Sequence, residues 1–489
     1  MSIFAPPYPE GLPIGPGWLP APERRPVLFP YDRSEVALAP WGSAQMAARA
    51  LEFALGAASK VEELPSHVRR AVLREVQSQL AVRRSEFESL LVLETGKPLV
   101  DCRTEVERSL VTLEVAAEEA GRLHGETVPL DLSAQGEGLL GFWVRKPIGV
   151  VIGIAGFNYP LLLASHKLAP AVAAGCPVVV KPAPQTPLAT LWLVHLFRTA
   201  LRRAGAPEEA VQLVTGGSEV GRTLTTDRRI GAVSFTGSAR VGHQIARDAA
   251  PTKVILELGS NSALVVCADA DLERAADAAI RGGFYASGQA CISVQRVLVV
   301  ESVRARFLEL LTARLAQVVV GDPRQESTRV SALIDEPAAG RVGAWVEEAL
   351  SGGAHLLAGG EVSGGIVAPT ALADVPEGIP LWDEEVFGPV VCVRTVADEQ
   401  EALEAVNRSR YGLHASVFTS SLATAMAALS RLKVGGVVIN EVPGFRADNM
   451  PYGGVKDSGI GREGPRFAVE ELTVTRMAII RAGWTEAPG

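Results

Sequence analysis

The segments Gly149-Val-Val-Ile-Gly-Ile154 and Pro177-Val-Val-Val-Lys181 are short apolar runs, and an apolar helical pattern at 161–174 lies between them. Each run is rich in Val and Ile and too short for a helix, which is typical of a buried strand. Three further runs continue the alternation with helical segments, at 211–215, 232–235 and 254–257. This order of strands and helices predicts a doubly wound α/β unit built on a parallel sheet.

The chain on either side of this unit contains further elements. Amphipathic helices are predicted upstream, and a second α/β rhythm of strands and helices resumes after Ser262. Residues 125–145 predict a β-hairpin, residues 474–480 predict a closing strand, and the nine prolines among residues 1–30 predict an extended arm. The predicted helices are 43–58, 64–93 and 99–123 upstream, and 270–286 and 304–317 in the second unit, whose strands are 264–267 and 294–300.

Composition excludes several classes of protein. With 489 residues, of which 47% are hydrophobic, the chain is long enough for several buried cores, and global disorder is excluded. The net charge of -8 argues against nucleic acid or an anionic membrane as the main partner. Pro147–Ser165 is free of charge, but its glycines and Pro160 fit a strand and a turn better than a membrane helix. We therefore expect a soluble protein.

The five cysteines indicate a reducing compartment and no bound metal. They form no CxxC pattern and no Cys/His cluster, so neither a disulfide framework nor a structural zinc site is expected. A cytoplasmic location follows from this interpretation.

Three residues are candidates for catalysis, each with a simpler alternative. Cys291, in a stretch of small residues, is either a nucleophile or a buried inert thiol. Glu257 ends an apolar strand, so its carboxylate is either paired or a base with a raised pKa. Asn158 lies where a strand gives way to a helix, and its amide either stabilises an oxyanion or serves the turn before Pro160.

Other residues are candidates for binding a ligand. Lys181 is one of only eight lysines and follows a buried strand, at the sheet edge where ligands bind in open α/β folds. Gly237–Gly242, which includes Ser238, either receives a phosphate on its backbone N–H groups or uses glycine for the turn alone. Glu385 and Phe387 either contact a sugar and a ring or belong to a solvated acidic loop.

Taken together, these segments resemble the NAD(P)-dependent aldehyde dehydrogenase superfamily from about Ser43 onward. The resemblance rests on seven motifs in collinear order, so it is far more specific than any one of them. They are Phe157-Asn-Tyr-Pro160, Val180-Lys-Pro-Ala183, Phe235-Thr-Gly-Ser238, Leu256-Glu-Leu-Gly259, Gly288-Gln-Ala-Cys291, Glu385-Val-Phe-Gly-Pro389 and the segment 451–463.

The resemblance implies a role for each candidate. Cys291 attacks the aldehyde, Asn158 and the Cys291 backbone N–H hold the oxyanion, and Glu257 activates the water that releases the carboxylic acid. NADP or NAD is the implied cofactor. Its implied contacts are Lys181 and Glu385 on the riboses, Phe387 on the nicotinamide, and Gly216, Gly237 and Ser238 against the adenosine diphosphate.

The resemblance also implies the domain organisation and the assembly. Residues 1–124 and 146–255 are the implied NAD(P)-binding domain, and residues 256–467 the catalytic domain. Residues 125–145 and 468–489 are a bridging element that implies a homodimer or a homotetramer.

Departures from the family pattern bear on cofactor and substrate. Pro184 stands where many NAD-preferring relatives have a Glu, which predicts that NADP is accepted. Ser260 replaces a usual Gly, and Gly156 and Tyr159 vary the surroundings of Asn158. For the substrate we expect a small aldehyde, and Arg108 is either a contact for an anionic group or part of a solvated helix face.

Three alternatives to the oxidation of an aldehyde to a carboxylic acid with NAD(P) differ in which of the candidate residues they would use. A CoA-acylating relative would generally lack Glu257. A cofactor-free cysteine esterase would leave Lys181 and the Gly237 turn without a role. A structural protein would be favoured by loss of the nucleophile, the base or the oxyanion donor, and all three are present.

Overall fold

The computed structural model describes residues 3–481, which form fifteen α-helices and twenty-two strands. The helices are α1 (Ala44–Glu62), α2 (Ser66–Val82), α3 (Arg84–Thr95), α4 (Leu99–Glu119), α5 (Pro160–Ala174), α6 (Leu188–Arg203), α7 (Ser218–Thr225), α8 (Ala239–Ala249), α9 (Leu272–Phe284), α10 (Arg304–Leu315), α11 (Glu336–Ser351), α12 (Pro380–Asp383), α13 (Glu399–Arg408), α14 (Leu422–Arg431) and α15 (Pro465–Glu471). The strands are β1 (Glu23–Leu28), β2 (Glu35–Trp41), β3 (Glu126–Val128), β4 (Leu139–Pro147), β5 (Val151–Ile154), β6 (Val178–Lys181), β7 (Val211–Leu213), β8 (Ala232–Thr236), β9 (Lys253–Glu257), β10 (Ser262–Val266), β11 (Val294–Val300), β12 (His355–Ala358), β13 (Val362–Ser363), β14 (Ile366–Val367), β15 (Thr370–Ala373), β16 (Val390–Val396), β17 (Tyr411–Gly412), β18 (His414–Phe418), β19 (Gly436–Ile439), β20 (Val455–Lys456), β21 (Gly459–Ile460) and β22 (Thr473–Arg481).

The first large sheet has the strand order β21-β9-β8-β5-β6-β7. Strands β5 to β9 are parallel, and β21 adds an antiparallel edge. The chain runs outward from β5 to β7 and then crosses to β8 on the other side of β5. This reversal is the switch point at which open α/β sheets bind ligands. The predicted doubly wound unit is confirmed.

A second sheet of seven strands, in the order β12-β15-β16-β11-β10-β18-β19, contains the predicted second unit. All its neighbouring pairs are parallel except β12 with β15. The fold is therefore of the mixed α/β class with parallel sheets, as predicted. Only β10 and β11 of this sheet were predicted; β12, β15, β16, β18 and β19 were not.

The predicted hairpin and closing strand form one three-stranded antiparallel sheet. Strand β22 pairs with β4 along its full length, and β3 pairs with the other edge of β4. The end of the predicted bridging element, residues 482–489, lies outside the described residues. The division into domains stays a prediction; β9 continues through residue 257, and β21 returns to the first sheet from the segment assigned to the second domain.

Two upstream predictions differ from the structure. The helix predicted over 64–93 is two helices, α2 and α3, because the backbone of Arg83 leaves the helical region at φ -104° and ψ 18°. The described part of the extended arm contains β1, which pairs with β2. The arm is also tied to α6, because buried Arg198 donates to the carbonyl oxygens of Gly15 at 2.7 Å and Gly17 at 3.1 Å.

No helix among residues 3–481 combines the length and the apolar character that crossing a bilayer requires.

A buried carboxylate joins α4 to α5. Glu105 on α4 accepts hydrogen bonds from the backbone N–H groups of Leu161, at 2.9 Å, and Leu162, at 3.1 Å, in the first turn of α5. Its other oxygen pairs with the Lys97 ammonium, which is equally buried. An anion at a helix N-terminus satisfies N–H groups that have no partner within the helix.

We expect Glu105→Ala to lower the free energy of unfolding by about 3–5 kcal/mol, because it leaves the buried Lys97 charge unpaired. Glu107→Ala is the matched control on the same helix. Its exposed pair with Arg84 contributes below about 1 kcal/mol. Urea denaturation followed by circular dichroism measures both. Equal losses in the two variants would contradict the role given to Glu105.

Candidate active site

One cavity of about 380 Å³ opens at the carboxyl edge of the first sheet and holds all three catalytic candidates. Cys291, Glu257 and Asn158 line it together with Gly237, Ser238, Glu385 and Phe387 from the predicted cofactor contacts. Lys181 and Gly216 do not line this cavity. Lys181 is the last residue of β6 and Gly216 follows β7, farther along the same sheet edge. The predicted residues therefore form one continuous edge with the catalytic candidates at one end.

The segment that carries Cys291 is held in a strained backbone conformation. Ala286 and Ser287 have φ values of 49° and 55°, and Gly288 follows at 73°. The Asp101 carboxylate accepts from the Ala286 N–H at 2.9 Å, and the Ser287 hydroxyl accepts from the Ser331 N–H at 2.9 Å. Such conformations persist where the surrounding contacts impose them, often at functional sites.

Gly288 permits the close approach of the loop that carries Phe387. A Cβ at residue 288 would lie 2.1 Å from the carbonyl oxygen of Gly388, which only glycine avoids. Phe387 has a φ of 51°, and its ring meets the ring of Phe157 edge-on with centroids 5.6 Å apart. The nucleophile segment and the Glu385–Phe387 turn are thus packed against each other.

Cys291 is the only one of the five free cysteines that is not buried. Its sulfur lies 3.2 Å from the hydroxyl oxygen of Tyr452. Cys291 is partly buried in the cavity, and the resulting desolvation raises the pKa of its thiol to about 11. The nearby carboxyls of Glu385 and Glu257 act in the same direction, and Tyr452 and Arg446 act against it. The thiol therefore depends on its surroundings for activation.

Asn158 lies directly before α5 and reaches across to the nucleophile segment. Its side-chain amide donates to the carbonyl oxygen of Gln289 at 2.8 Å. Gln289 is fixed in turn, because its side-chain oxygen accepts from the Ile334 N–H at 3.0 Å. The amide thus stands beside Cys291 with a donor available in the cavity.

Glu257 is a buried carboxyl group without a hydrogen-bond partner among residues 3–481. Burial raises its pKa well above the ordinary value, and the neighbouring charge of Glu463 adds to the increase. Lys167, Arg446 and Arg462 oppose that increase without cancelling it. A carboxyl group of this kind keeps its proton to higher pH than an ordinary one and is a stronger base once it is ionised.

A network of charges that the sequence analysis did not assign lies behind Glu257. The Glu463 carboxylate pairs with Lys167, and Glu463 Oε2 lies 3.2 Å from His166 Nδ1. Burial acts against ionisation of Glu463, but Lys167, His166 and Arg446 together hold its pKa well below the usual range. Lys167 also donates to the hydroxyl of Thr236 at 2.7 Å. Glu463 is therefore the more readily ionised of the two acids, and Glu257 is the one that holds a proton more tightly.

The network continues to the cavity wall through Asp448. Arg108 on α4 donates to both carboxylate oxygens of Asp448, at 2.8 and 3.1 Å. Arg108 and Arg446 both line the cavity. The Arg446 Nε has no hydrogen-bond partner among the described residues, and the nearest Asp448 oxygen is 3.8 Å away. The sequence analysis named Arg108 but gave no role to Asp448 or Glu463, whose partners Arg108 and Lys167 lie hundreds of residues away along the chain.

The predicted cofactor contacts show features that suit a dinucleotide. Burial lowers the pKa of Lys181 to about 8, and its ammonium makes one described hydrogen bond, to the Pro182 carbonyl at 3.3 Å. Burial raises the pKa of Glu385 to about 7. One Glu385 oxygen accepts from the Ser260 N–H at 3.0 Å, and a Cβ on Gly259 would lie 2.5 Å from the other. The Lys181 ammonium and the Glu385 carboxyl can therefore both form further hydrogen bonds with sugar hydroxyls.

The turn after β8 also has features that suit a bound dinucleotide. Ser238 precedes the first turn of α8, where backbone N–H groups favour an anion. A Cβ on Gly237 would lie 2.5 Å from the ring of Phe235, so glycine is required for this turn. The residues present therefore fit a bound NAD(P) along this edge.

Comparison with known proteins agrees with this geometry. The sequence model of the aldehyde dehydrogenase family matches residues 18–478. A 3-sulfolactaldehyde dehydrogenase of Priestia aryabhattai is 39% identical over 474 residues, which are 96% of this chain and 98% of that protein.

Solved structures of the same family are similar over nearly the whole chain. Aldehyde dehydrogenase 21 of Physcomitrella patens, in complex with the reaction product succinate, has a TM-score of 0.94 and 36% identity, covering 97% of this chain and 99% of its own. Glyceraldehyde-3-phosphate dehydrogenase of Methanocaldococcus jannaschii, complexed with NADP, has a TM-score of 0.91 and 35% identity, covering 94% and 100%.

Proposed function

The chain belongs to the aldehyde dehydrogenase family and oxidises a small aldehyde with NAD(P), and from this premise we propose that Cys291, Glu257 and Asn158 carry the reaction. The observation that supports the assignment is the single cavity at the switch point of the first sheet. It places a thiol, an unpartnered buried carboxyl and a side-chain amide around one space. Nucleophile, base and oxyanion donor are the three groups that this chemistry needs.

Cys291 acts as the nucleophile. Its thiolate adds to the aldehyde carbon, and the carbonyl electron pair moves to oxygen to give a thiohemiacetal anion. Asn158, which now donates to the Gln289 carbonyl, turns its amide towards that oxygen, and the Cys291 backbone N–H assists. Bound NAD(P) would supply the hydride acceptor, and loss of the hydride from the substrate carbon would leave a thioester on Cys291.

Glu257 acts as the base that releases the acid. In its ionised form the carboxylate takes a proton from water while the water oxygen attacks the thioester carbon, and the Cys291 sulfur leaves. The raised pKa of Glu257 strengthens it as a base. The presence of this group in the cavity favours water over CoA as the acceptor of the acyl group.

Lys181, Gly216, Gly237, Ser238, Glu385 and Phe387 hold the cofactor in this proposal. Lys181 and Glu385 have unused hydrogen-bonding capacity for the two riboses, and Phe387 presents its ring to the cavity beside Cys291. Gly216 follows β7 with a φ of 135°, and in this proposal its backbone lies against the adenosine diphosphate.

Absorbance at 340 nm across a panel of small aldehydes tests the assignment. We expect Cys291→Ala to produce no reduced nucleotide. Glu257→Gln should release about one equivalent per site in a burst and then turn over about 10²- to 10⁴-fold more slowly than the wild type. Since the ionised form of Glu257 is required, wild-type turnover should rise with pH through a pKa above the ordinary carboxyl value. Steady wild-type rates in Glu257→Gln would contradict its role.

We further propose that the substrate carries a negatively charged group. Arg108 and Arg446 both line the cavity beside the nucleophile. The buried Arg446 Nε has no hydrogen-bond partner among the described residues, and the nearest oxygen of Asp448 is 3.8 Å away. A carboxylate or a sulfonate on the aldehyde would accept a hydrogen bond from this donor. The names of the relatives, which include 3-sulfolactaldehyde dehydrogenase, agree with this class.

Arg446→Gln tests the charge of the substrate. We expect the KM for succinic semialdehyde to rise about tenfold or more, because a charge-assisted hydrogen bond is lost. The matched neutral substrate is butyraldehyde, whose KM should change by less than about threefold. The same increase for both aldehydes would contradict an anion contact at Arg446.

We propose that NADP is accepted, because Pro184 carries no charge that would repel a 2′-phosphate. Lys181 lies close by, with its side-chain carbons in van der Waals range of the Cβ position of Gly221 in the first turn of α7. An added phosphate would meet that ammonium and the N-terminal end of α7, although the exposed Glu219 also belongs to this turn.

The ratio of kcat/KM for NADP to that for NAD measures the preference. We expect Pro184→Glu to shift the ratio towards NAD by about tenfold or more, because the carboxylate repels the 2′-phosphate and accepts from ribose hydroxyls. A wild-type preference of a hundredfold for NAD would contradict the proposal. Pro184→Ala is the control, since it adds no charge and should leave the ratio within about threefold of the wild type.

We also infer a cytoplasmic homodimer or homotetramer. Among residues 3–481, β22 is an edge strand of its sheet and exposes Met477, Ile479 and Ile480. Strand β19 is likewise an edge strand of the second sheet within this range, beside the exposed Met426 and Leu429 of α14. Exposed apolar edges of this kind favour pairing with another chain. Light scattering of the purified protein distinguishes these assemblies from a monomer. The five free thiols support the location.

A further inference from the structure

Tyr452 contacts the reacting atom of the site, and nothing above assigns it a role. Its hydroxyl oxygen lies 3.2 Å from the Cys291 sulfur, and the residue is only 3% exposed. The Arg446 guanidinium lies 3.8 Å from the centroid of its ring, and the ring of His414 meets it edge-on at 5.1 Å. The hydroxyl is therefore held at the sulfur by contacts on the ring.

The backbone of Tyr452 is fixed as well. It forms an isolated antiparallel bridge with Glu463, in which each residue donates its N–H to the carbonyl oxygen of the other. Glu463 is anchored by its ion pair with Lys167. His414 is fixed by the contact of its Nδ1 with the Pro443 carbonyl at 2.9 Å. Tyr452 thus belongs to a rigid frame and does not need to be ordered by the substrate.

The phenol keeps its proton in this environment. Burial raises the pKa of Tyr452 well above its usual value, and the negative charges that Cys291 and Glu257 carry when ionised add to the increase, against the cation of Arg446. The hydroxyl is thus available as a donor throughout the working pH range. A neutral thiol is a weak partner for it, whereas a thiolate receives a charge-assisted hydrogen bond of about twice the strength.

We propose that Tyr452 is a further catalytic residue, whose hydroxyl donates a hydrogen bond to the Cys291 thiolate and thereby favours the nucleophilic form of the thiol. This inference rests on the proposed role of Cys291 as nucleophile. The thiol proton leaves to a base or to water, and the phenol retains its own proton. The sulfur electron pair then forms the bond to the aldehyde carbon, and the negative charge moves to the former aldehyde oxygen, to which the Asn158 amide donates a hydrogen bond.

Stabilising a thiolate also lowers its intrinsic reactivity, so the net direction of the effect must be considered. The loss follows a Brønsted slope of about 0.4–0.5, so it offsets only about half of the gain in thiolate population on a logarithmic scale. Because the Cys291 pKa of about 11 lies well above neutral pH, the gain in population prevails. Tyr452 therefore accelerates addition.

Alkylation of Cys291 by iodoacetamide tests the inference without an aldehyde. The other four cysteines are buried, so mass spectrometry of the native protein should find the label at Cys291, and Cys291→Ala is the blank. Tyr452→Phe keeps the ring and its contacts and removes only the hydroxyl. We expect the Cys291 pKa to rise by about one unit and alkylation at pH 8 to slow about threefold to fourfold, because higher nucleophilicity offsets part of the lost thiolate population.

Tyr285→Phe is the matched control, because Tyr285 also lines the cavity but makes no described hydrogen bond to Cys291. Its alkylation rate should stay within about twofold of the wild type. The rise of kcat/KM with pH should move to higher pH in Tyr452→Phe alone. An unchanged alkylation rate in Tyr452→Phe, with wild-type melting temperature and nucleotide binding, would overturn the inference, as would equal slowing in both variants.

The two proposals fail in different ways. Loss of aldehyde oxidation in Cys291→Ala together with wild-type alkylation in Tyr452→Phe would refute the role of Tyr452 and leave the function intact. Full aldehyde oxidation in Cys291→Ala would refute the assignment of the nucleophile, and the catalytic role of Tyr452 with it, even if the alkylation rate depends on the hydroxyl.

Discussion

The buried carboxylate of Glu105 sets the geometry on which the site depends. A charge at this depth is tolerated only because it pairs with the Lys97 ammonium and accepts hydrogen bonds from the first backbone N–H groups of α5. This fixes α4 against the N-terminus of α5. Asn158 stands directly before that terminus, and Arg108 lies one turn farther along α4, so one contact places both an amide donor and a guanidinium at the cavity.

The distribution of buried charge then decides which acid is a base. Glu257 and Glu463 are neighbours, and both are buried. Lys167 forms its ion pair with Glu463 and so favours the ionised form of Glu463. The negative charge of Glu463 then raises the pKa of Glu257 further. A carboxyl group left without a partner has a cost in stability, and it gains the proton affinity that release of an acid from a thioester requires.

Backbone strain around Cys291 is maintained by contacts from distant parts of the chain. Asp101, from the first turn of α4, and the Ser331 N–H each bind one of the two non-glycine residues with positive φ. Gly388 lies so close to Gly288 that the turn carrying Phe387 is packed directly against the nucleophile segment. The thiol and the surface for the cofactor are therefore positioned by the same set of contacts.

Much of this arrangement follows from local sequence. Strands β5 to β9 and the helices between them were predictable because apolar period and length are local properties, and Cys291, Glu257 and Asn158 stand in motifs at strand ends. The joining of β16, β18 and β19 to the second sheet, the pairing of β1 with β2, and the contact between Tyr452 and Cys291 were not predictable. These depend on residues brought together from distant parts of the chain, as Arg108 and Asp448 are across 340 positions. Periodicity determines which elements form, whereas the satisfaction of buried charges and donors, which only the folded chain makes possible, decides which side chains meet.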